Sequence, residues 1–319
     1  MVQCPRHRRD HRPKPYPTPQ RGVGRSRHVK RRKTDGLAAG IFLFPSLLVF
    51  GIFVFFPLVY TFWLSATDWN LISPDKNFLA FGNYLRLLRD SLFWRVLANT
   101  AIFSVSVVVL AVSLGLFIAV SINRKIAART MYRTMIFLPY VTATSAMALV
   151  WLWIFDPQYG FLNMVLRSFG IHGPEWLGST SWAMPAIVIM TVWRFTGYIM
   201  LLYLGGLQSI NGELLEAASV EGASRTAIFW KITFPLLSPT TLFVVITTLI
   251  TMLQNFETVY IMTQGGPVNS TNMLVLYIYQ NAFQYFEAGY ASAVSVLLFL
   301  MMIGLTAIQL GSSKKWVTY

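Results

Sequence analysis

The chain has 319 residues, of which 55% are hydrophobic and only 12% charged. A soluble domain carries about 25% charged residues, so half of the expected polar surface is missing, and either the globule is unusually apolar or its solvent is lipid. The net charge of +14 is concentrated at one end: residues 1–35 hold 12 Lys/Arg against two acids, and the other 284 hold 14 against 10.

That first segment is rich in Pro, Arg and His and almost free of large apolar residues. It reads as a disordered basic tail beside anionic lipid rather than as a nucleic-acid-binding region. Cys4 is the single cysteine, which excludes an internal disulfide framework. His7, His11 and His28 lie in the tail at irregular spacing and His172 stands alone in a loop, so no metal site is expected.

Six charge-poor stretches follow, at about 37–64, 98–122, 131–155, 182–207, 240–263 and 288–310. As helices rising 1.5 Å per residue, each can cross about 30 Å of hydrocarbon. They are continuous rather than alternating, and too long for barrel strands. The first follows Arg31-Arg32 as a signal core would, but its 28 residues far exceed one, and more spans follow, so it is expected to stay attached. Pro45, Pro57, Pro139 and Pro185 fall inside these stretches and read as kinks.

Between spans one and two, residues 66–97 carry Trp69, Phe81, Tyr84, Phe93 and Trp94 among polar residues, the mark of an amphipathic segment at an interface. Residues 156–180 hold Gly160, Gly170, Gly173, Pro174 and Gly178 and predict a turn-rich loop with one short helix. Arg194 near the middle of span four and Glu257 in the outer part of span five are the deep charges. They read as a structural ion pair, as substrate contacts, or as contacts with a partner subunit.

The loop after span four is the most informative. Leu214 to Val220 is a short Ala-rich helical turn with Glu213 and Glu216 near its N-terminal half, Gly222 can break it, and a second helix runs from about Ser224 to Thr233, ending at Pro235. A helix-Gly-helix elbow is a stiff part that a partner can push. The positive-inside rule puts it in the cytoplasm: 20 Lys/Arg fall in the tail, the even-numbered loops and the C-terminus against five outside, so both termini are expected to be cytoplasmic.

Glu216-Ala217-Ala218, Gly222, Ile232 and Pro235 resemble, in type and spacing, the signature loop of binding-protein-dependent ATP-binding-cassette (ABC) importer permeases; Phe234 stands where that loop usually has Leu. The loop resembles the family's coupling helix, and Glu221, Ala223 and Arg225 fall within the same stretch. Phe81-Gly82-x-Tyr84, Phe137-Leu138-Pro139, Asp156-Pro157 through Asn163, Thr263-Gln264-Gly265-Gly266-Pro267 and Ala282 to Ala293 look like the sugar-importing branch. The resemblance covers residues 37–310. It implies an all-α integral membrane protein with six transmembrane helices and the type I ABC importer permease fold. The resulting division is a tail over 1–35, a transmembrane domain over 36–311 with its coupling loop at 208–235, and a short cytoplasmic C-terminus over 312–319.

The resemblance also implies partners: a second homologous permease, two cytoplasmic ATPase subunits carrying ATP and Mg, and an extracytoplasmic solute-binding protein, in the cytoplasmic membrane of a prokaryote. No Gly-x-x-x-x-Gly-Lys-Ser/Thr run occurs in the sequence, so no cofactor and no catalytic residue is expected in this chain. Transport would be by alternating access. Sugars are held by aromatic faces and by amides or acids, and Trp151, Trp193, Arg194, Tyr198, Gln254, Asn255, Glu257 and Tyr260 are the candidates in spans three to five, where the family's pocket lies. The rivals are a glycerol-phosphate-type, phosphate or polyamine cargo, an ion-coupled carrier, for which only Glu257 is available, and a membrane enzyme, for which no Cys, His and acid grouping is available.

Overall fold

The computed structural model describes residues 33–123 and 128–316, which are helices and turns; among them the one extended pairing is an isolated bridge between Thr67 and Phe78. Residues 1–32 of the expected tail lie outside the described residues, and the first helix begins at Lys33. Contacts divide the chain into a unit ending at Val54 and a second beginning at Phe55. The first holds α1 (Lys33–Phe50), followed by a π-turn over Gly51–Phe55.

The second unit holds α2 (Phe56–Leu64), α3 (Gly82–Arg89), α4 (Ser91–Ile122), α5 (Arg129–Val141), α6 (Thr144–Ile154), α7 (Phe161–Ser168) and α8 (Ala183–Ser209). It continues with α9 (Gly212–Val220), α10 (Arg225–Ile228), α11 (Phe234–Leu236), α12 (Ser238–Leu253), α13 (Glu257–Met262), α14 (Leu274–Tyr279) and α15 (Ala288–Trp316). Among the described residues four helices are long and apolar enough to cross a bilayer unbroken: Gly40–Leu64, Ser91–Ile122, Ala183–Ser209 and Ala288–Ser313. Two bent pairs, α5 with α6 and α10–α11 with α12, bring the number up to six when each pair is counted as one span.

The differences from the sequence reading have local causes. Span two starts at Ser91, not 98, because the Asp90 carboxylate accepts the Leu92 N–H at 2.8 Å and caps the helix. Phe93 is therefore buried in the bundle rather than lying on the interface. Span three bends by 96°, since Thr142 and Ala143 adopt extended backbone three residues past Pro139. Span five stops at Leu253, and Gln254–Phe256 interrupt it before α13. Span six runs on to Trp316, so residues 312–316 are helix.

Two π-turns precede prolines, Gly51–Phe55 before Pro57 and Phe229–Thr233 before Pro235. Proline has no N–H for the carbonyl four residues back and its ring crowds that carbonyl, so a wider turn absorbs the mismatch. The elbow's second helix thus passes through Pro235 rather than ending there. The chain then breaks at Leu237, and α12 restarts with Pro239 in its first turn, where no amide partner is needed.

Packing follows the rule for lipid, where close contact of small residues replaces the hydrophobic drive. Ala111, Gly115 and Ala119 form a buried small stripe at i, i+4 and i+8 on α4, and a side chain added at Gly115 would meet Ile199 of α8. At Gly197 an added Cβ would strike the Ile136 carbonyl, so α5 lies directly on the α8 backbone. Replacing Gly197 by Ala is expected to force the two helices apart at a cost of about 1–3 kcal/mol. The measurement is the thermal unfolding midpoint in detergent, which should fall; an unchanged midpoint would contradict the packing.

Candidate functional site

The elbow is built by its caps. The Asn211 side chain accepts the Glu213 N–H at 3.0 Å and starts α9. Gly222 ends it with φ +83°, a conformation that glycine adopts without strain. The Gly222 and Ala223 amides bond back to the Ser219 and Ala218 carbonyls at 3.1 and 3.0 Å, which closes a Schellman motif. The Ser224 hydroxyl accepts the Ala227 N–H at 3.2 Å and starts α10. The turn is therefore held by its own backbone bonds and by two side-chain caps.

The outer surface of this elbow is unusual. Leu214 is 52%, Val220 89% and Trp230 59% exposed. Glu216, Ala217, Glu221, Gly222, Ala223 and Arg225 are exposed as well, whereas Ala218, Ile232 and Pro235 are half-buried. Trp230 sits in a cluster with Phe229 and Phe234 at the elbow's base.

The pathway candidates do not form one cluster. Trp151 of α6 meets Trp193 of α8 edge to face, with centroids 5.4 Å apart. Tyr198 stacks at 4.5 Å on Tyr140, which the sequence reading did not single out. Arg194 lies against the Tyr140 and Phe195 rings; one terminal nitrogen reaches the Tyr140 carbonyl at 3.5 Å, and its buried Nε has no hydrogen-bond partner. Arg194 and Glu257 form no ion pair: among the described residues the ion pair is Arg86–Glu287. Glu257 is exposed at the start of α13.

Tyr260 stacks on Phe256 at 5.1 Å and meets Tyr279 edge on, while Asn255 reaches Thr258 and leaves its buried Oδ1 unbonded. α13 packs against α6 and α8, the helices that carry Trp151 and Trp193. Gln254 turns away, donating to the Met302 sulfur of α15 at 3.2 Å. The signal for Tyr140 was present in Pro139 and the break behind it, but apolar patterning gives no backbone direction. Among the described residues no three His, Cys, Asp or Glu side chains gather as metal ligands.

A clasp not anticipated from sequence joins distant segments. The Asp90 carboxylate accepts the Tyr277 and Tyr290 hydroxyls at 2.6 and 2.8 Å, besides capping α4. Burial pushes this carboxyl up, but the two hydroxyls and the Leu92 and Phe93 amides outweigh it and hold it below the usual carboxylate value. Arg86 lies over the Tyr290 ring at 4.4 Å and grips Glu287 at 2.7 Å.

Bent spans carrying aromatic side chains and an unpaired arginine, with an elbow that exposes Leu214 and Val220, fit a membrane transport subunit. The chain belongs to the family described as binding-protein-dependent transport system inner membrane component, whose profile matches residues 111–315, and it is a permease of the ABC importer class. It is 34% identical over 279 residues to the sulfoquinovosyl glycerol transport system permease of Agrobacterium fabrum, covering 86% of this chain and 90% of that one. It is also 34% identical over 270 residues to the trehalose/maltose transport system permease of Thermococcus litoralis, covering 85% and 91%. A bacterial alginate ABC transporter, solved with an alginate pentasaccharide-bound periplasmic protein, contains a chain that superposes with a TM-score of 0.77. That match is 22% identical and covers 89% of this chain and 96% of the other, and the likeness extends to the fold.

Proposed function

We propose that this permease moves a sugar or sugar-like solute across the cytoplasmic membrane by alternating access, and that the ATP is hydrolysed on separate subunits. The observation that carries the coupling half of this reading is the elbow: a rigid turn presenting Leu214 and Val220 to solvent has the form of a part seated in another protein. Glu216, Ala217, Ala218, Glu221, Gly222, Ala223, Arg225, Ile232 and Pro235 form or support that seat. The partners are two cytoplasmic ATPase subunits, a second homologous permease and an extracytoplasmic solute-binding protein, with both termini of this chain cytoplasmic. The tail over 1–35, the six-span domain over 36–311 and the terminus over 312–319 complete the domain organisation.

The sugar half rests on the aromatic and polar groups around α6, α8 and α13 and on the solutes for which the two relatives are named. Trp151, Trp193, Arg194, Tyr198, Asn255, Glu257 and Tyr260 line the path, and Gln254 supports it from the α12–α15 side. The test is uptake of a sugar panel by the reconstituted importer with its solute-binding protein. ATP-dependent accumulation of a sugar is expected; accumulation of an ion-coupled solute without ATP would overturn the proposal.

Arg194 and Glu257 offer a sharper check. Because they are not paired, exchanging their charges (Arg194→Glu with Glu257→Arg) is expected to leave uptake at least ten-fold below wild type. Restored uptake would show a functional ion pair between them.

A further inference from the structure

A polar cavity lies in the corner made by α3, the loop after α2 and the start of α15. It has a volume of about 370 Å³, within the range of small-ligand sites, and opens to solvent where Asp68, Asn70, Leu79 and Arg86 are exposed. Its walls are Asp68, Trp69, Asn70, Leu79, Gly82, Asn83, Arg86, Glu287 and Tyr290. The pathway candidates instead lie on or beside α6, α8 and α13, so the cavity shares no residue with them.

The cavity is framed rather than loose. The 95%-buried Asn83 donates both amide protons, to the Ser65 and Thr67 carbonyls at 2.9 and 2.7 Å. Gly289 donates to the Trp69 carbonyl at 2.9 Å, and a Cβ there would collide with the Thr67 carbonyl, so the loop is pinned against α15. The indole is fixed by its own bond to the Ser73 carbonyl at 3.0 Å and by Lys76, 4.2 Å from its centroid.

The unused hydrogen-bonding capacity is mixed in sign. The Asn70 carbonyl caps the Ile72 and Ser73 amides, but no bond occupies its NH2 group. Asn83 Oδ1 has no partner, and Arg86 uses one of its terminal nitrogens on Glu287 and leaves its others free. Asp68 accepts two bonds from Asn77 and keeps further lone pairs. Both donors and acceptors are therefore available beside an indole and a leucine. A hydroxyl both donates and accepts, so a solute carrying several hydroxyls on an apolar ring satisfies such a wall, whereas a simple anion or cation satisfies half of it. Two carboxylates against one guanidinium also disfavour an anion.

The geometry points to an additional, weak site for a neutral polyhydroxylated solute at the end of the permease from which α4 starts. It rests on the sugar reading above and places a second holding point for the same class of molecule outside the path.

Saturation-transfer NMR of glucose and mannitol with the assembled importer in nanodiscs, without solute-binding protein or nucleotide, tests this. Transfer to both is expected from the wild type. Asn70→Asp keeps the carbonyl that caps the turn and removes the NH2 donors, and it is expected to weaken transfer at least ten-fold; Trp69→Ala should do the same. Trp193→Ala, in the path, should leave this signal in place. Absence of transfer in the wild type overturns the site, as does a signal unchanged in Asn70→Asp. So does binding of lysine methyl ester with no binding of sugar, which would make the cavity a socket for a protein side chain. Sugar uptake without this signal sinks the outer site alone; the signal without uptake of any sugar sinks the transport reading alone.

Discussion

Replacing Leu214 and Val220 together by aspartate is expected to bring ATP-dependent uptake to background and to strip the ATPase subunit from the purified permease. Fully burying a Leu or Val side chain is worth about 1.5–3 kcal/mol each, and placing unpaired carboxylates in an apolar seat costs several more. The combined loss exceeds about 5 kcal/mol, or more than a thousand-fold in affinity. Both side chains are already exposed, at 52% and 89%, so the permease should fold unchanged. Co-purification and the thermal midpoint separate the two effects: intact folding with lost ATPase is the expected pattern. Retained ATPase and uptake would mean that the elbow is not the seat.

Replacing Asp90 by Ala is expected to lower stability by on the order of 4 kcal/mol. Hydrogen bonds to a charged acceptor contribute about 1.5–3 kcal/mol each and a helix cap about 1, while the two tyrosine hydroxyls, 3.3 Å apart, can recover part of the loss by bonding each other. The pH dependence follows from the sign of the shift. The folded carboxyl lies below its unfolded value near 4, so the folded state binds its proton less readily. Its contribution is complete above that unfolded value and is lost as pH falls through the lower folded one. Thermal midpoints in detergent from pH 7 down to pH 3 should show the gap between wild type and Asp90→Ala narrowing only below about pH 4. A constant gap would remove Asp90 from the clasp. The burial of Tyr277 and its bond to Asp90 push its hydroxyl upward, so it stays protonated and donating throughout this range.

The clasp shows why part of the architecture was hidden. Asp90 lies 187 residues from Tyr277 and 200 from Tyr290. Nothing local in the stretch before α4 distinguishes a capping aspartate from one that also holds two tyrosines of another segment. The helix start itself was legible, because Asp followed by Ser-Leu-Phe is a cap signal, and weighting apolar content over capping placed the boundary seven residues late. Pro139 marked span three as kinked but gave no hint of its 96° angle, and the break in span five was hidden for a different reason. Hydropathy measures how greasy a stretch is and carries no backbone direction, so 240–263 read as a straight crossing.

The sequence by itself determined that the solvent of this chain is lipid, that six stretches are apolar and long enough to cross it, and that the loop after span four is a helix-Gly-helix elbow. Those properties follow from composition, periodicity and residues within one or two turns of each other. Only the tertiary structure decided that Arg194 and Glu257 are not an ion pair, that Gln254 faces α15 while Trp151 meets Trp193, and that Arg86, Glu287 and Asn83 frame a cavity. Each of these depends on the angle at which one helix meets another. Those angles are set by backbone breaks and by small residues such as Gly197, where helices touch without side chains between them.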